Sequence, residues 1–160
     1  MLLAGVKVPF QSEGQTKYYA VRLVDFENPQ NNDFAAVRQL IVLQHKQKRL
    51  DHVLFVNGLP LVILEYKDPT NPSADIVAAH KQLGTGNYQK HIPRIFNYNA
   101  FLIISDKTKA RYGTMTAPFE RFSDWNDPED PDRTVANRLA MMQRLMLNKE
   151  SLLELIQNYL

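Results

Sequence analysis

Two short apolar runs, His52–Val56 and Leu61–Leu64, stand on either side of Asn57-Gly58. Asn-Gly between runs of this kind is the strongest short-range signal for a β-hairpin, because both residues tolerate the positive φ of a tight turn. The segment Arg49–Lys67, RLDHVLFVNGLPLVILEYK, is thus constrained to fold back on itself. Acidic residues mark the outer end of each run, Asp51 before the first and Glu65 at the close of the second, and Lys67 follows two positions later. Apolar strands ending in two carboxylates and an amine make a poor core, since each buried charge must be paired or hydrated. The same set suits a divalent cation held against a phosphodiester. Asp-x13-Glu-x-Lys therefore reads as the chemistry of a metal-dependent nuclease.

Whether the two carboxylates meet depends on register. A two-residue Asn57-Gly58 loop pairs Val56 with Leu59 and Asp51 with Leu64. Side chains alternate between faces, so Glu65 would then point away from Asp51. A three-residue loop, Asn57-Gly58-Leu59, sets Asp51 opposite Glu65, with Cβ atoms about 5 Å apart; a bulge elsewhere in the hairpin has the same effect. Glu65 and Lys67 share a face about 6.6 Å apart along the strand. The chemistry thus predicts an odd-length connection, against the simplest reading of Asn-Gly.

At 160 residues the chain has the size of one domain with room for a proper core. It has no apolar run long enough to span a bilayer and no signal-peptide pattern, and the absence of cysteine excludes disulfides and thiolate metal sites. These features fit a cytoplasmic location without membrane contact. A net charge of +2 advertises no global field for nucleic acid, but basic residues cluster locally. Lys46, Lys48 and Arg49 precede the hairpin, while Lys81, Lys90, His91 and Arg94 lie in and after the next helix.

Along the chain, Tyr18–Phe26 and Phe34–Leu43 read as strands separated by a polar loop. Asn71 or Ser73 is placed to cap a helix running to about Leu83, with Ile76, Val77, His80 and Leu83 on one face, and Gly84-Thr85-Gly86 interrupts it. Ala100–Ser105 has no polar alternation and reads as a strand buried on both faces. Arg111–Thr116 and Phe119–Phe122 are shorter strand or turn candidates. From Arg133 the apolar period becomes helical, with a break near Asn148. This order predicts an α/β domain with a central mixed sheet flanked by helices.

The run DHVLFVNGLPLVILEYK resembles the nuclease motif of the PD-(D/E)xK superfamily, in the form found near the N-terminus of the restriction (HsdR) subunits of type I restriction enzymes. VRLVDFENPQNNDF upstream, QKHIPRIFNYNAFLIISDKTKARYGT after the helix, and FERFSDW beyond it are similar to the same family. Together they cover about residues 18–125, far more than Asp…Glu-x-Lys alone. Tyr66 stands where Leu is usual. The resemblance implies a restriction-endonuclease-like fold, with a nuclease domain over residues 1–125 and a helical extension or connector over 126–160. It implies Asp51 and Glu65 as carboxylate ligands of Mg²⁺, the Tyr66 backbone carbonyl as a further oxygen ligand, and Lys67 orienting water or stabilising charge on the phosphorane. It also implies a Gln-x3-Tyr motif on the following helix. Here Gln82 is followed by Tyr88, six positions on, across Gly84–Gly86. The additional acidic residue that the family carries on an N-terminal helix has no convincing counterpart.

As implied by the resemblance, the substrate is double-stranded DNA. The partners are methyltransferase and specificity subunits together with the subunit's own motor domains, which hydrolyse ATP. No G-x4-G-K-[ST] occurs among these residues, so ATP chemistry is expected elsewhere. Two other readings stay open: a standalone repair-type nuclease of the same superfamily, and a non-catalytic module docking DNA or subunits. Read in isolation, Asp51, Glu65 and Lys67 are a solvated strand end, and Gln82 and Tyr88 a helix-end amide and a packed aromatic. His80 reads as a hydrogen-bonded core residue, His52 as pointing to the other side of its strand, and Asp124–Asp132 as a solvated acidic loop.

Overall fold

A computed structural model describes residues 2–68, 70–71, 75–106, 108–125 and 137–159. A two-stranded hairpin, β1 (Val6–Ser12) and β2 (Gln15–Val21), precedes a six-stranded sheet. The sheet contains β3 (Phe34–Leu43), β4 (Gln47–Val56), β5 (Leu59–Tyr66), β6 (Phe101–Ser105), β7 (Ala110–Gly113) and β8 (Ser123–Asp124), side by side in that order. All neighbours are antiparallel except β5 and β6, which are parallel. A parallel pair needs a crossover. It is supplied by α1 (Ile76–Leu83), α2 (Tyr88–His91) and a 3₁₀ turn over Pro93–Tyr98. Two further helices, α3 (Arg138–Leu145) and α4 (Lys149–Tyr159), close the chain. The expected mixed α/β architecture is the observed one.

The sheet is covered on both faces. On one side Val56, Leu61, Val62, Leu64, Phe101 and Ile103 pack against Met142, Met146, Leu152, Leu153 and Ile156. The leucine and methionine stripe of the C-terminal helices is therefore core. On the other side Val53, Ile63, Leu102 and Ile104 meet Ile76, Ala79 and Leu83 of α1, with Tyr88, Ile92 and Phe96. This two-sided cover explains why β6 is apolar without alternation. Among the described residues no helix is long and apolar enough to cross a membrane.

Two local expectations are corrected. Tyr18–Phe26 is not one strand, since β2 ends at Val21. The following residues form a loop in which Asp25 and Asn32 side chains take over backbone hydrogen bonds: Asn32 Oδ1 accepts from the Asp25 amide at 2.8 Å, and Asp25 Oδ1 accepts from Glu27 and Asn28 amides at 3.0 and 2.9 Å. Helix α1 is capped by Asp75, whose carboxylate accepts from the Ala78 amide at 2.9 Å, rather than by Asn71; Ser73 lies outside the described residues. Of the strand and turn alternatives for Phe119–Phe122, the turn is observed, a 3₁₀ turn over Phe119–Arg121. His80 behaves as expected of a core histidine, with Nε2 3.1 Å from the Ala117 carbonyl and its ring against Phe119 and Phe122. Most of Asp124–Asp132 lies outside the described residues.

The decisive hairpin combines a tight turn with a bulge. Asn57 (φ 50°) and Gly58 (φ 78°) make a two-residue loop, and Val56 pairs with Leu59 and Phe55 with Pro60. The expected three-residue loop is thus replaced by the turn that Asn-Gly prefers. Register then shifts, because Leu54 pairs with Val62, Val53 with Ile63 and His52 with Leu64. Leu61 is the extra residue, and its carbonyl accepts from the Ala100 amide at 2.7 Å and from Asn99 Nδ2 at 3.2 Å. One bulge changes parity as an odd loop would.

Asn57 also anchors this turn. Its Oδ1 accepts from the Asp33 amide at 2.7 Å, and its Nδ2 donates to the Leu23 carbonyl at 2.9 Å and to Asn32 Oδ1 at 2.8 Å. Asn57→Ala removes all three bonds and places alanine in the left-handed region. A loss of about 2–3 kcal/mol is expected, read from the urea midpoint at unchanged m-value.

Candidate active site

The bulge at Leu61 decides what lies at the far end of the hairpin. One rung beyond His52↔Leu64 stand Asp51 and Glu65, now lining the same polar cleft of about 470 Å³ with Arg49, Lys67, Gln82 and Tyr88. Strands β4 and β5 supply the carboxylates. Lys67 follows β5 directly, its amide bonded to the Ser105 carbonyl on β6 at 2.8 Å, and α1 and α2 supply the amide and the phenol.

A chain of hydrogen bonds orders the polar groups. Lys67 Nζ donates to Glu65 Oε1 at 3.0 Å and to Gln82 Oε1 at 2.5 Å. Gln82 Nε2 donates to the Tyr88 hydroxyl at 2.6 Å, which donates to the Arg49 carbonyl at 2.8 Å. The six-residue spacing from Gln82 to Tyr88 is accommodated because α1 ends at Leu83, the glycine segment turns, and α2 begins at Tyr88. Burial first, and then the Glu65 charge, raise the pKa of the Tyr88 phenol, which stays a donor.

Asp51 is held from two sides. Its Oδ2 accepts from the Tyr66 amide at 2.8 Å, and its Oδ1 accepts from Gln39 Nε2 at 3.1 Å. Gln39 was not legible as a site residue. It lies on exposed strand β3 with φ 53°, a left-handed backbone that costs a non-glycine residue about 1–2 kcal/mol. His52, as expected, is outside the cleft; its ring lies tilted against that of Tyr66, with centroids 5.0 Å apart.

Glu65 is the most perturbed group. It is only 2% exposed, and its Oε2 is buried without a hydrogen-bond partner. Burial, reinforced by the Asp51 charge and opposed by Lys67 and Arg49, pushes its pKa from 4.5 to about 7. Oε2, buried without a partner beside a second carboxylate while Lys67 takes Oε1, is an oxygen donor free for a cation. Two carboxylates and a backbone carbonyl are the hard oxygen donors that Mg²⁺ takes, usually through one or two carboxylates plus water and phosphate. Among the described residues no group of three or more acidic, histidine or cysteine side chains is poised for a metal.

A basic flank adjoins the cleft. The turn between β3 and β4 is tied to α2, with the His45 and Lys46 amides donating to the His91 carbonyl at 3.0 and 3.4 Å. Desolvation, then Lys46, Lys48, Lys90 and His45, depress the pKa of the His91 imidazole, as expected where cations crowd. Lys48 Nζ sits 5.5 Å above the Tyr88 ring at the cleft wall.

Residues 1–121 match the family described as the type I restriction enzyme R protein N terminus. The chain belongs to this family. The match includes β1 and β2, upstream of the segment whose resemblance was legible. A type I restriction enzyme HindI endonuclease subunit from Haemophilus influenzae is 38% identical across 99% of the chain. A putative type I restriction enzyme MjaIXP endonuclease subunit from Methanocaldococcus jannaschii is 36% identical across 82% of it. The chain spans 16% and 13% of those relatives' lengths, so it corresponds to the N-terminal region of a type I R protein.

Proposed function

We propose that this domain is the Mg²⁺-dependent endonuclease unit of a type I restriction enzyme R subunit, hydrolysing phosphodiesters of double-stranded DNA. The observation that carries the reading is the convergence of Asp51 and Glu65 beside Lys67, with Glu65 Oε2 buried and unpartnered. Sequence recognition and ATP-driven translocation fall to partner subunits and motor domains outside these residues. The relatives' names as endonuclease subunits support the same assignment.

Asp51 and Glu65 would hold the ion, with the Tyr66 carbonyl as a third oxygen. Bound there, Mg²⁺ supplies Lewis acidity to the phosphoryl group and acidity to its water. Lys67 presents its ammonium between Glu65 and Gln82, placed to orient the attacking water and to stabilise charge developing on the phosphorane. Gln82 fixes the lysine, and Tyr88 fixes Gln82 against the Arg49 carbonyl. The basic flank would track DNA phosphates into the cleft, an interaction that weakens with salt.

The test is cleavage by the full R subunit assembled with its partners. Asp51→Ala is expected to leave ATP hydrolysis intact while DNA cutting falls at least about 10²-fold. Cutting at the wild-type rate would remove Asp51 from the chemistry.

A further inference from the structure

Strands β3 and β4 pair at every rung from Phe34↔Val56 to Leu43↔Gln47 except the one where Gln39 faces Asp51. The pair also changes face there. Phe34, Leu54 and Val56 pack on the side of the C-terminal helices, whereas Leu40, Val42 and Leu50, also even-numbered, pack on the side of α1. Strict alternation would keep all of them on one side. The left-handed backbone of Gln39 is the pivot, and Asp51 stands directly across from it.

A pivot by itself needs only a positive φ. Glycine provides that without strain and asparagine with little. The other non-glycine residues with positive φ among those described, Glu13 and Asn57, sit in two-residue hairpin turns beside a glycine. Gln39 is inside a strand and exposed, so packing does not account for the side chain. The side chain instead reaches the Asp51 carboxylate, donating from Nε2 to Oδ1 at 3.1 Å. With the Tyr66 amide on Oδ2, each oxygen of Asp51 has one donor and keeps a lone pair for a cation.

We infer that Gln39 is a positioning residue of the metal site: its amide fixes the rotamer of Asp51, and its left-handed backbone brings that amide within reach. The inference rests on the metal-binding reading of Asp51 and Glu65. Carboxylates that ligate metals are commonly held by such outer hydrogen bonds, whose loss costs about 10–100-fold in affinity or activity.

Gln39→Gly separates the side chain from the pivot, because glycine keeps the left-handed backbone. Gln39→Asn tolerates the same φ but is one methylene too short to reach. Both variants are to be titrated with Mn²⁺ by calorimetry, alongside the wild type and Asp51→Ala, with thermal unfolding measured without metal. The expected result is a Tm equal to or above wild type for Gln39→Gly, with Mn²⁺ affinity lowered about 10-fold or more in both variants. Wild-type affinity in Gln39→Gly overturns the inference alone. Weakened affinity accompanied by a matching fall in Tm in both variants makes Gln39 a purely structural residue and also overturns it. Mn²⁺ binding that Asp51→Ala leaves unchanged overturns the metal reading and this inference together.

Discussion

Lys67→Ala is expected to lower DNA cleavage by about 10²–10³-fold or more in the assembled enzyme, while the domain keeps its fold. The ammonium is only partly exposed and is gripped at 3.0 Å by Glu65 and at 2.5 Å by Gln82, so no mobile surface lysine can take its place. Its removal leaves a buried carboxylate without its cation. That would be severe for a group forced to stay ionised. Glu65, however, already has a pKa of about 7, so it can take up a proton. Stability near neutral pH should therefore change little, and the defect should appear in cleavage. Cleavage of supercoiled plasmid at saturating Mg²⁺, with far-ultraviolet circular dichroism as the control, reads both effects. Wild-type cutting would show that Lys67 serves only as a counter-ion for Glu65.

Glu65→Gln is expected to abolish cleavage and yet to stabilise the metal-free domain. Burial and the Asp51 charge raise the folded-state pKa of Glu65 from 4.5 to about 7, which corresponds to ~3 kcal/mol of linked stability. For a raised carboxyl, that stability is fully present below pH 4.5 and is lost as pH rises through 7. The wild type without metal is thus weakest above pH 7, where Glu65 must ionise in a buried site. Glutamine removes the ionisation, and the loss of its pairing with Lys67 and Arg49 offsets part of the gain. Urea unfolding in chelator should show Glu65→Gln more stable by about 1–3 kcal/mol at pH 8, with the gap closing as pH falls through 7 and 4.5. A pH-independent gap would mean that Glu65 is not the titrating group.

Stability given up at Glu65 in the metal-free protein would be recovered when a cation is bound. The same linkage would make metal binding release a proton and tighten as pH rises through about 7.

Hairpin periodicity made Asp51, Glu65 and Lys67 legible in the sequence, whereas Gln82 and Tyr88 were legible only through the family resemblance. Asp51 lies midway along β4, Glu65 near the end of β5 and Lys67 just after it, so hairpin register tests whether they can share a face. A bulge was one of the two routes to this parity that the sequence left open, but its place at Leu61 was not legible. Asn57-Gly58 carries a strong turn signal, but nothing local to Leu61 marks a bulge, which is set by neighbouring β6 and Asn99 bonding to its carbonyl. Gln39 escaped notice because a glutamine in an exposed strand resembles any solvated residue, and its positive φ depends on the pairing of two strands. Tyr18–Phe26 misled because its apolar residues read as one strand, whereas Asp25 and Asn32 capture the backbone instead. Of the β1–β2 hairpin only Tyr18–Val21 was read as strand, since β2 is exposed along its whole length and carries no buried face. Tyr88 reaches Gln82 across the altered spacing because α1 ends at Leu83 and α2 begins at Tyr88.

The central claim is that Asp51 and Glu65 form one cation site. Its most direct test is calorimetric titration of the 160-residue chain with Mn²⁺ at pH 8, for the wild type, Asp51→Ala and Glu65→Gln. A shared site predicts saturable binding by the wild type that either substitution removes, with proton release that grows as the starting pH is lowered toward 7. Saturable binding that survives both substitutions, or that depends on only one of the two carboxylates, would contradict it.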